Sequence, residues 1–494
     1  VLRELASDLP GFRAARFAPG LNVAVLDSTT TAEPTEPGPR HVAPETVQDI
    51  IPARRGRASV VGYTPLGEQW ARDRAAAAAS TEADTGRRGI GRTRFAAALD
   101  FALGGSGTVR ATAARQELAE SSSTVRFTGA GETVTATRCG ERPGELSVHS
   151  SGADAEPWTL PLADWQQWLG QTLFGLTGAD DEPSYRSLMA YYLRDADHGG
   201  LSDPIRHHAK QPAVESLPPL AHLFGLDPAL VEAAKTLQAS RRHLRSSQRG
   251  DTDLPNGQRL SDATASRDLA NLTAEIATLE LERAEAAADA SWRSTRAVAG
   301  GLATDPVAAT AALDAKLAAL RARRAAVARY ADAHAELQRQ ALELRESVRS
   351  DLRGRHDRLT AASNLFTRYA YEMFGPSRPA ALTVAARDHG YAFYPVLGGE
   401  PGAGVGAMTL FCFDLAMAVT AHRAGTGPDF LLHDRALYAD LPVADAAAAL
   451  DLAARVCAVE DMQYLVVLDQ PKLAEVGRYD PALSYHECTV LTAT

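Results

Sequence analysis

The order of apolar and polar positions divides the chain into stretches with different periods. Residues 12–25, FRAARFAPGLNVAV, predict two short strands around a Pro19-Gly20 turn, the second running from Leu21 to Val25. A helix is expected over 92–103. Thr124-Val125-Arg126-Phe127 and the run from Thr133 to Thr137 alternate on either side of Gly-Ala-Gly, which predicts an antiparallel meander within 108–148. Trp165, Leu169, Leu173 and Leu176 form one apolar stripe, so 158–176 reads as a helix against a core. A further amphipathic helix is expected from Pro183 to about Arg194.

From about residue 227 the period changes to heptads. Leu269, Leu272, Ile276 and Leu279 follow a 3, 4, 3 spacing, and Leu313, Leu317, Leu320, Arg324 and Val327 continue it. Leu337, Ala341, Leu344 and Val348 resume the pattern after a slip. Gly300-Gly301 and Asp305-Pro306 separate two arms, so an antiparallel coiled-coil hairpin is expected between about 228 and 372. An arm of about 35 residues would reach roughly 50 Å. Beyond Gly375-Pro376 the pattern becomes α/β. Strands are expected at 382–386 and 391–397, a long apolar helix at 407–421, and short buried strands at 430–434 and 464–469. Residues 27–84 are rich in Thr, Pro, Glu, Ala and Arg without a sustained period. They read as an inserted, largely disordered loop with room for one helix near 66–79. The expected organisation is therefore an α/β head built from 1–227 and 373–494, with the hairpin inserted over 228–372.

Composition narrows the function classes. The 494 residues carry a net charge of −10, which argues against a chain coated with nucleic-acid-binding surface. Two local basic stretches remain, Arg241-Arg242-His243-Leu244-Arg245 and the arginine-rich arm 321–358. Each reads either as a DNA-contacting face or as a solvated coiled-coil exterior with interspersed Glu, and the second reading is favoured. No uninterrupted apolar run approaches the roughly 18–20 residues of a membrane span, and nothing at the start reads as a signal peptide. Cys139, Cys412, Cys457 and Cys488 have no metal spacing; Cys412 and Cys457 lie in apolar runs, as core thiols of a cytoplasmic protein would.

The stretch with most chemistry in it is GRRGIGRT, Gly86 to Thr93. It has the spacing of a phosphate-binding loop, G-x-x-x-x-G-K-[ST], with Arg92 in the lysine position. Glycines let successive backbone N–H groups curl around phosphate oxygens, and the following helix adds its positive dipole end. Thr93 would offer a hydroxyl to Mg²⁺. The alternative is a glycine-rich turn that merely starts a helix. Lysine occurs only at 210, 235, 316 and 472, so a preference for arginine explains position 92 readily. A second glycine-rich loop, GGEPGAGVGAM, spans 398–408. The apolar strand at 430–434 ends in Asp434, as does a strand that supplies the second side of a Mg²⁺ shell. Other chemistries find no support: H-E-x-x-H, G-x-S-x-G and zinc-spaced clusters are missing. His207-His208 reads as an exposed helix or loop pair, and Asp414, inside an apolar helix, as a buried hydrogen-bonded carboxylate.

Taken together, FAPGLNVAV (17–25), RRGIGRTRFAAALDFALGG (87–105), PSYRSLMAYYLR (183–194), HLFGLD (222–227), GVGAMTLFCFDLAM (404–417), PDFLLHDRALYADL (428–441) and QYLVVLD (463–469) resemble the SMC/RecN-like branch of the ABC ATPases. More narrowly, the chain is similar to SMC-like proteins of bacterial ABC-three-component systems, which carry a C-terminal domain of unknown function. The resemblance implies a P-loop NTPase head that binds ATP and Mg²⁺. Gly86, Gly89, Ile90, Gly91, Arg92 and Thr93 would line the nucleotide, with Thr93 and Asp434 on the metal. Gly402, Gly404 and Gly406 would form the signature-like loop that closes on a second head. It further implies a homodimer through the heads, a partner protein, DNA as a further candidate partner, and a role in DNA repair or in defence against phage and plasmids. Three departures bear on turnover: Arg92 for lysine, glycine near position 402 for the signature serine, and Arg435 in place of a general-base glutamate. No switch histidine is evident after 463–469. A slow ATPase and a pseudo-ATPase scaffold that holds a partner protein are both open.

Overall fold

The computed structural model describes residues 1–9, 12–27, 94–105, 119–129, 131–150, 157–194, 199–250, 262–297, 306–399 and 404–492. The proposed insertion 27–84 lies outside these residues except for Asp27. The chain divides into two compact units. One comprises Val1–Pro228, Arg355–Ala385 and Phe393–Thr494; the other comprises Ala229–Gly354 with Ala386–Ala392.

The first unit contains two sheets. β1 (Leu2–Ser7) and β2 (Ala15–Arg16) open one sheet, while β3 (Gly20–Asp27) belongs to the other. Helix α1 (Arg94–Ala102) follows, then β4 (Ser122–Gly129), β5 (Glu132–Cys139), β6 (Glu145–Ser150) and β7 (Trp158–Pro161). The first sheet runs β2-β1-β4-β5-β6-β7 with antiparallel neighbours. Its alternation is the one expected of a half-buried surface: Val125, Phe127, Val134, Ala136, Leu146 and Val148 are buried. On the other face the Thr124 and Thr137 hydroxyls pair at 2.8 Å. The turn between β4 and β5 uses Gly131 at φ 83°, a conformation that costs glycine little.

The end of α1 is held by side chains from elsewhere in this unit. The carbonyls of Phe101 and Gly105 accept from Arg138 on β5, that of Ala102 from Trp165 Nε1, that of Leu103 from Tyr185 Oη, and that of Gly104 from Gln166 Nε2. A helix C-terminus leaves its last carbonyls without intrahelical partners, and these donors supply them. Arg138 also binds the Pro143 carbonyl, and burial lowers its guanidinium to about 10.

Two sequence expectations need correction in the next stretch. Residues 158–161 form β7 rather than helix, and α2 spans Leu162–Phe174. Pro161 explains the boundary, because the residue before proline is driven to extended backbone. The second helix, α3 (Tyr185–Met189), stops before Arg194, which instead ends β8 (Leu193–Arg194). Tyr191 and Tyr192 are both fully buried, and consecutive side chains cannot share one helix face.

α4 (Leu217–Phe224) completes the N-terminal part of this unit. The second unit begins with α5 (Ala229–Gly250), followed by α6 (Asp262–Ala297) and α7 (Pro306–Gly354). α6 and α7 pack antiparallel: Arg283 pairs with Asp314, Arg321 pairs with Glu280, and Leu272 shares a cluster with Ala326, Val327 and Tyr330. The heptad positions Leu272, Ile276, Leu317, Val327 and Val348 are buried. Five of the ten arginines in 321–358 sit in ion pairs with nearby carboxylates: Arg321 with Glu280, Arg339 with Glu336 and Glu343, Arg345 with Asp388, and Arg349 and Arg353 with Glu346. That pairing favours the solvated exterior over a free basic face.

The chain returns to the first unit with α8 (His356–Phe374). β9 (Ala380–Arg387) and β10 (Gly390–Leu397) form a two-stranded sheet whose 386–392 tip belongs to the second unit. α9 (Val405–Arg423), β11 (Phe430–His433), α10 (Val443–Glu460), β12 (Gln463–Asp469), α11 (Gln470–Tyr479) and β13 (His486–Thr492) follow. The second sheet runs β13-β3-β12-β11-β8, and every pairing in it is parallel. Its central strands β12 and β11 are nearly continuous apolar runs, as in a parallel sheet covered on its faces. α9 is long and apolar enough in composition to cross a membrane, yet 78% of its apolar window is buried inside the protein. It is a core helix. Cys412 and Cys457 are indeed buried core thiols, as is Cys488, and burial pushes Cys457 and Cys488 up to about 12.

Arg138→Met should destabilise the first unit by about 2–4 kcal/mol, since several buried carbonyls lose their donor at once. Urea denaturation of the variant against the parent chain measures this, and an unchanged midpoint would contradict the anchoring role.

Candidate functional site

Because the second sheet is wholly parallel, its strands release the chain at one common edge. Asp469 at the end of β12 is in register with Leu26 of β3, and His433 at the end of β11 with Val466 of β12. The ends of β3, β12 and β11 therefore lie side by side. Residues Gly86, Gly89, Ile90, Gly91, Arg92 and Thr93, expected to line phosphate, lie outside the described residues, as does Gly402. α1 begins at Arg94, directly after the GRRGIGRT stretch.

Gly404 caps the start of α9 at φ 86°, and Gly406 lies in the first turn. A Cβ added at Gly404 would come within 2.6 Å of Leu441 Cδ2 and push that side chain aside, while the positive φ itself favours glycine. The Leu441 carbonyl in turn accepts from Lys472 Nζ at 2.7 Å, which ties the start of α11 to the same neighbourhood.

Asp434 follows β11 in extended conformation and is 8% exposed. A short 3₁₀ turn, Arg435–Leu437, comes next, and the Leu437 N–H bonds back to the Asp434 carbonyl at 3.0 Å. The Arg435 guanidinium pairs with the Asp469 carboxylate on the neighbouring strand, and their side chains are 25% and 29% exposed. The edge thus carries hard oxygen donors and a partly exposed cation. Among the described residues no three His, Cys, Asp or Glu converge on a point that could hold a metal by themselves. One or two carboxylates completed by phosphate oxygens and water is the usual shell of Mg²⁺, and the donor chemistry of Asp434 fits it.

Immediately beneath this edge lies a buried polar chain that pattern reading found only in part. Asp414 on α9 is fully buried and hydrogen-bonded, as expected. Arg194 Nη2 donates to its Oδ1 at 2.9 Å, and Arg194 Nε lies 2.6 Å from Oδ2 as an ion contact without hydrogen-bond alignment. His433 Nε2 lies 3.0 Å from the same Oδ2, His433 Nδ1 lies 2.6 Å from Tyr464 Oη, and Tyr464 Oη lies 2.5 Å from Tyr438 Oη. With a proton on Nε2 and a lone pair on Nδ1, the ring satisfies both neighbours: it donates to Asp414 and accepts from Tyr464. Burial drives the Tyr464 phenol well above its usual range, so it stays a donor. Arg194 also donates to the carbonyls of Gly200, Asp203, Pro204 and Arg206, and so organises that loop. The signal for this cluster was a charged or ring residue set among apolar ones, in YYLR (191–194), FCFD (411–414) and FLLH (430–433).

His207 and His208 lie in the loop that Arg194 clamps. His207 is partly buried rather than exposed. Its ring packs edge-on against Tyr191, and its Nε2 lies 3.0 Å from Gln211 Nε2. Burial, with Arg194 and His208 nearby, lowers its imidazole to about 4.

Residues 366–494 match a family described as "Uncharacterised protein conserved in bacteria (DUF2326)". A comparison with curated proteins finds no match. Among solved structures, the chain is similar to an Smc head domain with a coiled coil and joint from Pyrococcus yayanosii, at 13% identity and a TM-score of 0.37, covering 79% of this chain and 87% of that one. It is also similar, at 13% identity and a TM-score of 0.37, to an Smc head domain with an extended coiled coil bound to the C-terminal domain of ScpA from Pyrococcus furiosus, covering 78% and 83%.

Asp414→Ala should cost about 3–5 kcal/mol in chemical denaturation, because it strands a buried guanidinium. A loss below that range would mean Arg194 is satisfied by carbonyls alone. The depressed His207 sets a pH dependence. The unfolded chain takes up this proton near 6.5 while the folded chain resists until about 4. Stability should therefore fall by roughly 2–3 kcal/mol as pH drops through that window. His207→Gln should flatten the denaturation midpoint across it.

Proposed function

We propose that the chain is an SMC/RecN-like ATP-binding protein, with a head formed from 1–227 and 373–494 and a coiled-coil hairpin over 228–372. The observation that supports this best is the carboxyl edge of the five-stranded parallel sheet. There β3, the strand that precedes GRRGIGRT in the chain, neighbours β12, and β12 neighbours β11, the strand that leads into Asp434. Open parallel sheets bind ligands outside their carboxyl ends. On this reading the N–H groups of Gly86, Gly89, Ile90 and Gly91 and the Arg92 cation take the phosphates, ahead of α1. The Thr93 hydroxyl and the Asp434 carboxylate hold Mg²⁺, which when bound neutralises charge on the β- and γ-phosphates. Gly402, Gly404 and Gly406 of a second copy close on the nucleotide, so the heads form a homodimer as ATP binds. A partner protein of a multi-component system reads that state, in bacterial DNA maintenance or in defence against phage and plasmids.

Hydrolysis is slow on this reading. Arg435 stands where a glutamate would take the proton of the attacking water, and a guanidinium accepts none. Loss of a general base costs about 10²–10⁴-fold in rate. The Arg435–Asp469 pair also favours a second reading, a pseudo-ATPase scaffold that binds a partner protein without turnover.

A hydrolysis assay with Mg²⁺ and ATP separates the two. The first reading expects slow Mg²⁺-dependent turnover that Thr93→Ala and Asp434→Ala each abolish. Zero turnover by the parent chain, with partner binding intact, would support the scaffold instead.

A further inference from the structure

We infer that Arg435 is a phosphate-binding cation kept in reserve by Asp469, and that a nucleoside triphosphate takes it from the carboxylate on binding. The inference rests on the nucleotide reading above and assigns a role to the residue that reading leaves as a mere loss.

Arg435 directly follows Asp434 and opens the turn at the sheet's carboxyl edge, the edge to which the nucleotide reading assigns the phosphates. A guanidinium in this position has no acid–base chemistry to offer near neutral pH. What remains to it is charge, and charge on the transferring phosphoryl group is what such sites need. Its present partner is a weak tether. The pair is a quarter exposed on both sides, and an ion pair in that setting contributes no more than about 1 kcal/mol. A triphosphate offers several negative charges and oxygens spaced for a two-pronged guanidinium contact, which makes it the stronger partner.

Other cations of this unit show the contrast. Arg194 is fully buried, bound to Asp414 and to four carbonyls of one loop. Arg138 is buried against the end of α1. Lys472 is tied to a backbone carbonyl. Moving any of these would leave buried polar groups unpaired. Moving Arg435 returns a partly exposed carboxylate to water, at little cost. Asp469 therefore acts as a competitor for the cation, and it lowers affinity for nucleotide until phosphate displaces it.

The test is calorimetric binding of Mg²⁺ with a non-hydrolysable ATP analogue to the full chain, with thermal midpoints recorded for each variant. Asp469→Asn should tighten binding about two- to fivefold by freeing the guanidinium. Arg435→Gln should weaken it about tenfold or more. The double variant should match Arg435→Gln, because the effect of Asp469 runs through the arginine. An unchanged or weaker affinity in Asp469→Asn overturns the inference. So does an equal gain from Asp469→Asn in the Arg435→Gln background, which would mean that the carboxylate acts by its charge alone. Absence of binding by the parent chain, or binding indifferent to Thr93→Ala, would remove the nucleotide reading and this inference with it. That result is distinguishable, since it appears before any substitution at 435 or 469.

Discussion

The first unit depends on one strand finding both of its neighbours. β3 is buried, and its backbone N–H and C=O groups have no water to fall back on, so each edge must be paired. The strands that pair with it, β12 and β13, come from the other end of the chain. Everything between must leave the sheet and come back, which is why a long helical excursion can be carried between them. Gln463 extends the same constraint to the antiparallel sheet. Its side chain accepts from the Leu2 N–H and donates to the carbonyls of Leu2 and Ala18, so the start of β12 is bound to the start of the chain.

Two arginine–aspartate pairs within this unit show how environment changes the meaning of one chemistry. Arg194 and Asp414 are dry, and their desolvation consumes most of their mutual attraction, so the pair contributes specificity more than stability. It fixes the edge strand β8 to the core helix α9, and through His433 it fixes the end of β11, one residue before Asp434. Arg435 and Asp469 lie at the rim, where water screens them and exchange is cheap. The inner pair sets geometry; the outer one is free to change partners.

α1 is placed by the same logic of unpaired polar groups. Its final carbonyls are taken up by Arg138, Trp165, Gln166 and Tyr185, from three other elements of the fold. A helix anchored this firmly at its C-terminus can present its N-terminal turn in a constant position, which matters for any ligand held by the preceding GRRGIGRT segment.

Local pattern alone determined the elements that have a period and a boundary residue. The β4–β5 alternation around a glycine turn, the heptads of α6 and α7, the apolar runs of β11 and β12 and the core position of Asp414 could all be read, because each shows as a period or an apolar setting within a short stretch of sequence. What tertiary structure decided was everything owed to distant partners. β8 is a strand because β11 offers it a parallel edge, although its sequence continues a helical stripe. The parallel order of the second sheet, the His433–Tyr464–Tyr438 chain and the pairing of Arg435 with Asp469 join residues whose separation along the chain carries no signal. A hydrogen bond or an ion pair depends on distance in space, and one sequence read locally does not contain that distance.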